Sequence, residues 1–275
     1  MTSLGDAWRL ASERIDRLDA RLLVQQVATC THADLLAHAA RCLSVEQVAR
    51  LDKLVRRRAA GEPLAYLLGS APFHDREFLV SPAVLIPRPE TELLAELAIE
   101  CLRLLPAAKV LDLGTGSGVL AVTLKCLFPE ATVSAVDVSQ AALDVARSNA
   151  RRHAAEIRFL QGDWYAPLGE ECFDLIVANP PYVADADPHL GRDGLPFEPQ
   201  VALTDGIRGG DGLNCIRAVV SGASRHLLPG GWLLVEHGYN QATAVRHLLR
   251  EGDLSGLVTW HDLSHLERVS GGCLR

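Results

Sequence analysis

The stretch Lys109-Val110-Leu111-Asp112-Leu113-Gly114-Thr115-Gly116-Ser117-Gly118 sets the architecture of this chain. Lys109–Leu113 reads as a short buried strand, and Val119–Phe128, beyond the glycines, carries apolar residues at helical spacing. A glycine-rich turn between strand and helix lets a ligand approach the backbone closely, beside the unpaired N–H groups of the helix start. A dinucleotide-binding turn would continue as G-x-G-x-x-G/A, but Val119 occupies the last of those positions, so the match to that fingerprint is poor. Thr132–Val136 reads as the next strand and ends in Asp137, whose carboxylate can accept hydrogen bonds from both hydroxyls of a ribose. The expected ligand therefore carries a nucleoside.

Further along, Phe173-Asp174-Leu175-Ile176-Val177-Ala178 reads as another buried strand and runs straight into Asn179-Pro180-Pro181-Tyr182. The tetrapeptide then lies at the carboxyl end of a strand, the edge where open α/β sheets carry their chemistry. A residue before proline is pushed out of the α region, and proline has no N–H. Asn179 and Pro180 are thus held extended with their carbonyls available as acceptors. The Asn179 side-chain oxygen is a further acceptor, and Tyr182 offers a flat ring. This combination suits a planar NH₂ group, whose two protons need acceptors and whose plane can stack. An ordinary proline-rich turn after a strand would show the same residues.

From Lys109 onward strands and helices alternate, which favours a mostly parallel sheet covered by helices on both faces. Further strands are expected at Ile157–Leu160, Gly231–Glu236, Leu257–His261 and Arg268–Cys273, the last pair forming an antiparallel edge. Helices are expected at Gln140–His153, Leu213–Leu228 and Gln241–Arg250. The amino-terminal region is helical throughout, with Leu18, Leu22, Leu23 and Val27 on one buried stripe and Leu51, Leu54 and Val55 on another. Thr31 and Ser44 are its expected N-caps, and Gly61-Glu62-Pro63 ends it. The runs Phe73–Phe78 and Val80–Ile86 look like the strands of a β-hairpin, and Glu90-Thr91-Glu92 opens a helix to about Leu105. The expected organisation is a small helical-bundle domain (1–70), a hairpin linker (71–90) and an α/β domain (91–275). Residues 183–212, rich in Pro, Gly and Asp, lack periodicity. A long loop directly after the Asn-Pro-Pro-Tyr turn is placed to cover an acceptor site.

The net charge of −7 is uneven: residues 1–80 carry 11 basic and 10 acidic side chains, the remainder 16 and 24. Proteins that hold duplex nucleic acid concentrate positive charge on the binding face, so DNA is disfavoured as the substrate. Lys53 with Arg56-Arg57-Arg58 is a basic run, yet positive charge in a last helical turn before Gly61 also complements the helix dipole. No apolar run reaches the ~18 residues that span a membrane. The start, Met1-Thr2-Ser3-Leu4-Gly5-Asp6, lacks the basic and apolar regions of a signal peptide. Seven cysteines (30, 42, 101, 126, 172, 215 and 273) include no C-x-x-C pair. Reduced core thiols are expected, with no metal site or disulfide framework, and the cytoplasm is the natural compartment.

Glycine turn, acidic strand end and Asn-Pro-Pro-Tyr turn, in this order, resemble the class I S-adenosylmethionine-dependent methyltransferases that modify planar amino or amide nitrogens. The resemblance implies a Rossmann-like α/β sheet, mostly parallel with an antiparallel edge strand, and S-adenosyl-L-methionine as cofactor. It implies that Gly114, Thr115, Gly116, Ser117 and Gly118 hold the methionine part and Asp137 the ribose. Asp163-Trp164, after the third strand, would cover the adenine; a turn aspartate beside a packed tryptophan is the alternative. Asn179, Pro180, Pro181 and Tyr182 would present the acceptor nitrogen, with Asn179, Pro180 and Tyr182 as the catalytic set and Asn179 also touching the cofactor.

Three more segments narrow the resemblance: Gly61-Glu62-Pro63-Leu64-Ala65-Tyr66-Leu67-Leu68-Gly69, Val84-Leu85-Ile86-Pro87-Arg88-Pro89-Glu90-Thr91-Glu92 and Glu198-Pro199-Gln200-Val201-Ala202-Leu203. Together they are similar to the PrmC/HemK family of release-factor glutamine methyltransferases, across nearly the whole chain. This implies methylation of the side-chain amide nitrogen of the glutamine in the Gly-Gly-Gln motif of class-one peptide chain release factors. The N-terminal helices would help dock that protein, with no membrane and no stable nucleic-acid partner. A ribosomal-protein glutamine methyltransferase shares the core and turn but not the N-terminal region. An adenine-N6 methyltransferase on DNA or RNA would use the same acceptors but must also grip a phosphate backbone. A binding protein that kept the pocket without turnover is the non-enzymatic alternative.

Asp75 and His265 stand where that family often has glycine, although Asp tolerates positive φ better than most residues, and the loop Thr204–Gly212 looks slightly long. Arg88 and Glu90 either touch substrate or cofactor or form a helix-start turn with a first-turn acid. Glu198 and Glu236 are equally open. For the reaction, the Asn179 side-chain oxygen and the Pro180 carbonyl are expected to accept the two N–H bonds of the amide, with Tyr182 stacked on its plane.

Overall fold

The computed structural model describes residues 2–105, 107–192 and 194–275; Met1, at the expected start, and Asp193, in the 183–212 loop, lie outside the described residues with Pro106. The chain divides into two compact units, Met1–Ser70 with Asp193–Phe197, and Ala71–Arg192 with Glu198–Arg275.

The first unit contains α1 (Leu4–Ser12), α2 (Arg17–Ala28), α3 (His32–Ala37), α4 (Val45–Ala59) and α5 (Leu64–Leu68). Thr31 and Ser44 close capping boxes with Asp34 and Gln47, so each helix start satisfies donors that would otherwise be orphaned. Leu4, Leu23, Val24, Leu35, Leu51, Leu54 and Val55 fill the core. Leu18 does not join it and is 51% exposed. The buried face of α2 runs through Ala20, Leu23, Val24 and Val27. At about 100° per residue, position 18 falls near the opposite side. Arg56, Arg57 and Arg58 are paired with Asp52, Glu62 and Asp19, so the three arginines of the basic run are engaged within their own unit.

The second unit opens with a two-stranded sheet of β1 (Ser70–Phe73) and β2 (Arg76–Leu79). This corrects the expected hairpin: the chain turns inside the Phe73–Phe78 run, and residues 80–86 carry no strand. His74, not Asp75, takes the left-handed backbone, at φ 55°. Glu92 fixes it by accepting the His74 backbone N–H at 2.8 Å, and Glu96 lies 2.8 Å from Nε2. Phe73 and Phe78 meet edge to face behind the turn.

Next come α6 (Pro89–Arg103), β3 (Lys109–Leu113), α7 (Val119–Leu127), β4 (Thr132–Asp137), α8 (Gln140–Arg152), β5 (Arg158–Gln161), β6 (Phe173–Ala178), α9 (Asn214–His226), β7 (Leu227–Glu236), α10 (Ala242–Glu251), β8 (Leu254–His261) and β9 (Glu267–Leu274). The seven-stranded sheet has the order β5-β4-β3-β6-β7-β9-β8. Strands β3 to β7 run parallel, and β9 is antiparallel to both of its neighbours. Strand alternation sends Val110, Val133 and Val177 to one face, under α6 and α7, and Leu111, Val136 and Ile176 to the other, under α9 and α10. After β3 the sheet grows toward β5, then the chain crosses back to lay β6 on the other side of β3. The carboxyl ends of β3 and β6 therefore flank the topological switch point, where open α/β sheets hold ligands. Between β6 and α9, the described residues of 183–212 form short 3₁₀ turns and one isolated β-bridge, Val183 with Thr204.

Candidate active site

At the end of β3 the glycine turn takes backbone shapes that side chains resist: φ is 72° at Gly114, 55° at Gly116 and 82° at Gly118. The N–H groups of Gly114 and Thr115 both donate to the Val136 carbonyl, at 2.9 and 3.0 Å, folding the turn onto the end of β4. Asn149 secures the other side. Fully buried on α8, it donates to the carbonyls of Ser117 and Leu79 at 2.8 and 2.9 Å and accepts the Leu79 N–H at 2.7 Å.

Asp112, 1% exposed, sits beneath the turn. Its Oδ2 accepts the Thr115 hydroxyl at 2.6 Å and the Ala121 N–H at 3.2 Å, whereas its buried Oδ1 has no hydrogen-bond partner. Burial pushes its carboxyl up to about 7 against those hydrogen bonds, and the nearby charge of Asp137 adds to the rise. Asp137 accepts the N–H groups of Gly116 and Ser139, both at 2.8 Å, and burial shifts it upward as well.

A cavity of about 440 Å³ opens at the switch point. Of the residues singled out in the sequence, Gly114, Thr115, Gly116, Ser117, Asp137, Asp163, Trp164, Asn179 and Pro181 line it. Trp164 lies against the glycine turn, its ring 3.6 Å from where a Cβ on Gly114 would sit. Gly118, Pro180 and Tyr182 stand outside the lining. Gly118 instead lets α8 approach, since a Cβ there would come within 3.1 Å of Ala146. Pro180 is buried, and Tyr182 packs its ring against the core beneath β6.

The Asn-Pro-Pro-Tyr turn is braced from several sides. The Asn179 Nδ2 donates to the Thr91 hydroxyl on α6 at 2.9 Å. The Tyr182 hydroxyl donates to Oε1 of Glu236, at the end of β7, at 3.1 Å. Gln241 donates to the Tyr182 carbonyl at 2.9 Å, and the Val183 N–H donates to the Leu203 carbonyl at 2.9 Å. Glu236 is fully buried and its Oε2 has no hydrogen-bond partner. Burial pushes this carboxyl up to about 7, opposed by hydrogen bonding from Thr91 and Tyr182. Burial, then the Glu236 carboxylate, also raises the Tyr182 hydroxyl, which stays a proton donor.

The residues left open in the sequence separate cleanly. Arg88 lines the cavity and pairs with Glu198, whose buried carboxylate also accepts the Ile86 N–H at 3.0 Å. This bond ties the far half of the long loop to the segment before α6, and Val201, Ala202, Thr204 and Asp205 then reach the cavity wall. Glu90 lies outside the lining, 3.7 Å from Arg268. Asp112, Thr91 and Asn149 belong to the site without any local sequence pattern marking them as functional. Only Asp112 leaves a trace in the sequence, as a carboxylate inside an otherwise apolar strand.

Residues 8–69 match the PrmC N-terminal domain model, and residues 90–191 match the Methyltransferase small domain model. The release factor glutamine methyltransferase of Bordetella pertussis is 46% identical over 275 residues, all of both chains. That of Neisseria gonorrhoeae is 44% identical over 269 residues, covering 97% of this chain and 96% of its own. Among solved structures, a Thermus thermophilus 16S rRNA N2 G1207 methyltransferase in complex with AdoMet and guanosine superposes with a TM-score of 0.53. It is 24% identical, covering 75% of this chain and 50% of its own. A ribosomal protein L11 methylase from Lactobacillus delbrueckii superposes with a TM-score of 0.51 at 20% identity, covering 68% of this chain and 81% of its own. At these identities the two structures speak for the fold alone.

Proposed function

The chain belongs to the release factor glutamine methyltransferases, and on that premise we propose that its acceptor is the glutamine of the Gly-Gly-Gln motif in class-one peptide chain release factors. It is an S-adenosyl-L-methionine-dependent methyltransferase that modifies the side-chain amide nitrogen of a release-factor glutamine. The observation that carries the finer reading is the Asn179 carboxamide at the wall of the cavity, its nitrogen end already used by Thr91. Its oxygen end is left as an acceptor for an incoming NH₂ group.

The cavity suits the cofactor in size and chemistry, since small-molecule sites run from roughly 300 Å³ upward. The glycine turn from Gly114 to Gly118 lets the methionine part approach, and the orphaned Oδ1 of Asp112 is a ready partner for an ammonium group. Asp137 would hold the ribose, with Asp163 and Trp164 beside the base. Bound, the cofactor supplies an electrophilic methyl group on sulfur.

An amide nitrogen is a poor nucleophile because its lone pair is delocalised into the carbonyl. The Asn179 side-chain oxygen and the Pro180 carbonyl would accept its two N–H bonds and hold it in line for attack. Positive charge grows on the nitrogen during transfer, so these acceptor dipoles bind the transition state better than the ground state. Tyr182 acts by shaping the turn, because its hydroxyl is engaged by Glu236. The helical unit of residues 1–70 would dock the release factor. Seven free thiols fit a reducing compartment, the cytoplasm, and the net charge of −7 fits a protein partner better than a nucleic acid. Among the described residues no helix is long and apolar enough to cross a membrane.

Incubation with labelled S-adenosyl-L-methionine and, separately, a release factor, a ribosomal protein and duplex DNA tests the reading. Label is expected on the release factor, at the Gly-Gly-Gln glutamine. Label on the ribosomal protein or DNA alone would overturn it.

A further inference from the structure

Pro180 and Pro181 have no N–H, so the middle of the Asn-Pro-Pro-Tyr turn cannot fasten itself by donating hydrogen bonds. Its place depends on donors brought to its carbonyls. At its far end that donor is Gln241, whose Nε2 lies 2.9 Å from the Tyr182 carbonyl and 3.3 Å from the Asp211 carbonyl. The same side chain accepts the Gly238 N–H on Oε1 at 2.8 Å.

The direction of this carboxamide is fixed by its partners. A hydroxyl could donate or accept, but these are backbone groups of set polarity: two carbonyls, which only accept, and an N–H, which only donates. The NH₂ end must face Tyr182 and Asp211, and the oxygen end must face Gly238.

The connection between β7 and α10, which carries Gln241, is itself fastened. The Gly238 carbonyl accepts the Gln241 N–H at 2.9 Å, and Nδ1 of His237 lies 3.0 Å from the same oxygen. Since a carbonyl only accepts, the imidazole carries a proton on Nδ1. His237 is fully buried, with its Nε2 2.8 Å from the Ser270 hydroxyl and its backbone N–H donating to the Arg268 carbonyl at 2.8 Å. Gln241 thus reaches the turn from a segment anchored on β9.

We propose that Gln241 is a positioning residue for methyl transfer: its carboxamide clamps the end of the Asn-Pro-Pro-Tyr turn and the end of the long loop to the β7–α10 connection, and so sets where Asn179 and Pro180 stand. The inference rests on the reading of that turn as the acceptor-binding group. Gln241 lies outside the cavity lining, so it acts through the turn.

The test measures single-turnover methyl transfer to a release factor and the cofactor Kd, against pH, for the wild type, Gln241→Glu and Gln241→Met. Gln241→Glu keeps the shape and the acceptor for Gly238 but turns an oxygen toward two carbonyls. At about pH 8 its transfer rate is expected to fall about tenfold or more, with the cofactor Kd within about twofold. Facing two acceptors favours the protonated form of the new carboxyl, which donates through one oxygen and accepts through the other, as the amide does. The gap to the wild type should therefore close to within about threefold by about pH 5.5. Gln241→Met can do neither and should stay equally slow relative to the wild type at both. The Asp211 carboxyl, held down to about 2 chiefly by its hydrogen bond from Arg217, stays ionised throughout. Asp112 and Glu236, pushed up to about 7, and His237, lowered by burial, titrate in all three enzymes and cancel in the ratio. If Gln241→Met fails to fold, Gln241→Ala takes its place. A Gln241→Glu enzyme at the wild-type rate at about pH 8, a gap that does not narrow on acidification, or a cofactor Kd that weakens as much as the rate would overturn the positioning role and leave the reading of the turn standing. Full rate in an Asn179→Ala control would instead remove that reading, and the proposal with it.

Discussion

Gly212 lies directly against the backbone of Tyr182: a Cβ on Gly212 would stand 2.3 Å from the Tyr182 carbonyl oxygen. The last residue of the long loop is thus pressed onto the last residue of the Asn-Pro-Pro-Tyr turn. Gln241 bridges the two, donating to the carbonyls of Tyr182 and Asp211 at 2.9 and 3.3 Å.

Gly212→Ala is therefore expected to displace the turn, because φ at 212 is 73° and the clash is with backbone. Methyl transfer should fall by about tenfold or more, the size of effect that an ångström of misplacement produces, while cofactor binding changes little. Gly209→Ala is the control: its φ is 70° but open space surrounds it, so only the modest conformational penalty should appear. Stopped-flow transfer rates with cofactor titrations distinguish the two.

Asn149 satisfies three backbone groups in a buried place. Asn149→Leu removes all three bonds and leaves those groups dry, which should cost about 3 kcal/mol. The thermal midpoint is expected to drop by several degrees, and hydrogen exchange should quicken at Leu79 and along the glycine turn rather than in the helical unit.

The free Asp112 carboxyl is pushed up to about 7, and a bound ammonium would favour its ionised form. Cofactor affinity should then rise as pH goes from about 6 to about 8 and level off above. Asp112→Asn should bind more weakly and flatten that profile. Isothermal titration at several pH values is the measurement, and an unchanged slope in the variant would assign the titration elsewhere.

The same burial has an opposite effect on stability without ligand. Asp112 and Glu236 both hold their protons more tightly folded than unfolded, where carboxyls titrate near 4. Their stabilising contribution is complete below about pH 4 and is lost as pH rises to about 7. Denaturation across that range should show a falling component that Glu236→Gln reduces.

Arg88→Ala strands the buried Glu198 carboxylate, and breaking such a pair costs about 3–5 kcal/mol. The loop segment from Val201 to Asp205, part of the cavity wall, should loosen. Glu198→Gln keeps an acceptor for the Ile86 N–H and should do less harm. Limited proteolysis with and without cofactor would reveal the difference.

Where periodicity and punctuation agreed, the elements were legible to the residue: Lys109–Leu113 and Phe173–Ala178 are strands as read. The hairpin turn is hidden in the sequence because His74-Asp75 carries no glycine, and two acids on α6 hold His74 in a shape that glycine would take unaided. Spacing alone puts Leu18 on a core stripe, whereas it falls on the far side of α2. The cavity lining was legible in part, through the glycine turn, Asp137 and Asp163-Trp164. Gly118 and Tyr182 lie outside it, the one where α8 packs closely and the other against the core.

The sequence by itself determined the order of strands and helices, the glycine turn, the Asn-Pro-Pro-Tyr turn and the family they imply, because each depends on residues a few positions apart. Which way the Asn179 carboxamide faces was decided only by the tertiary structure. Its partner Thr91 lies 88 positions away, and Tyr182 meets Glu236 across 54. A hydrogen bond's direction is set by where donors and acceptors meet in space, and sheet pairing at the switch point is what brings these four together.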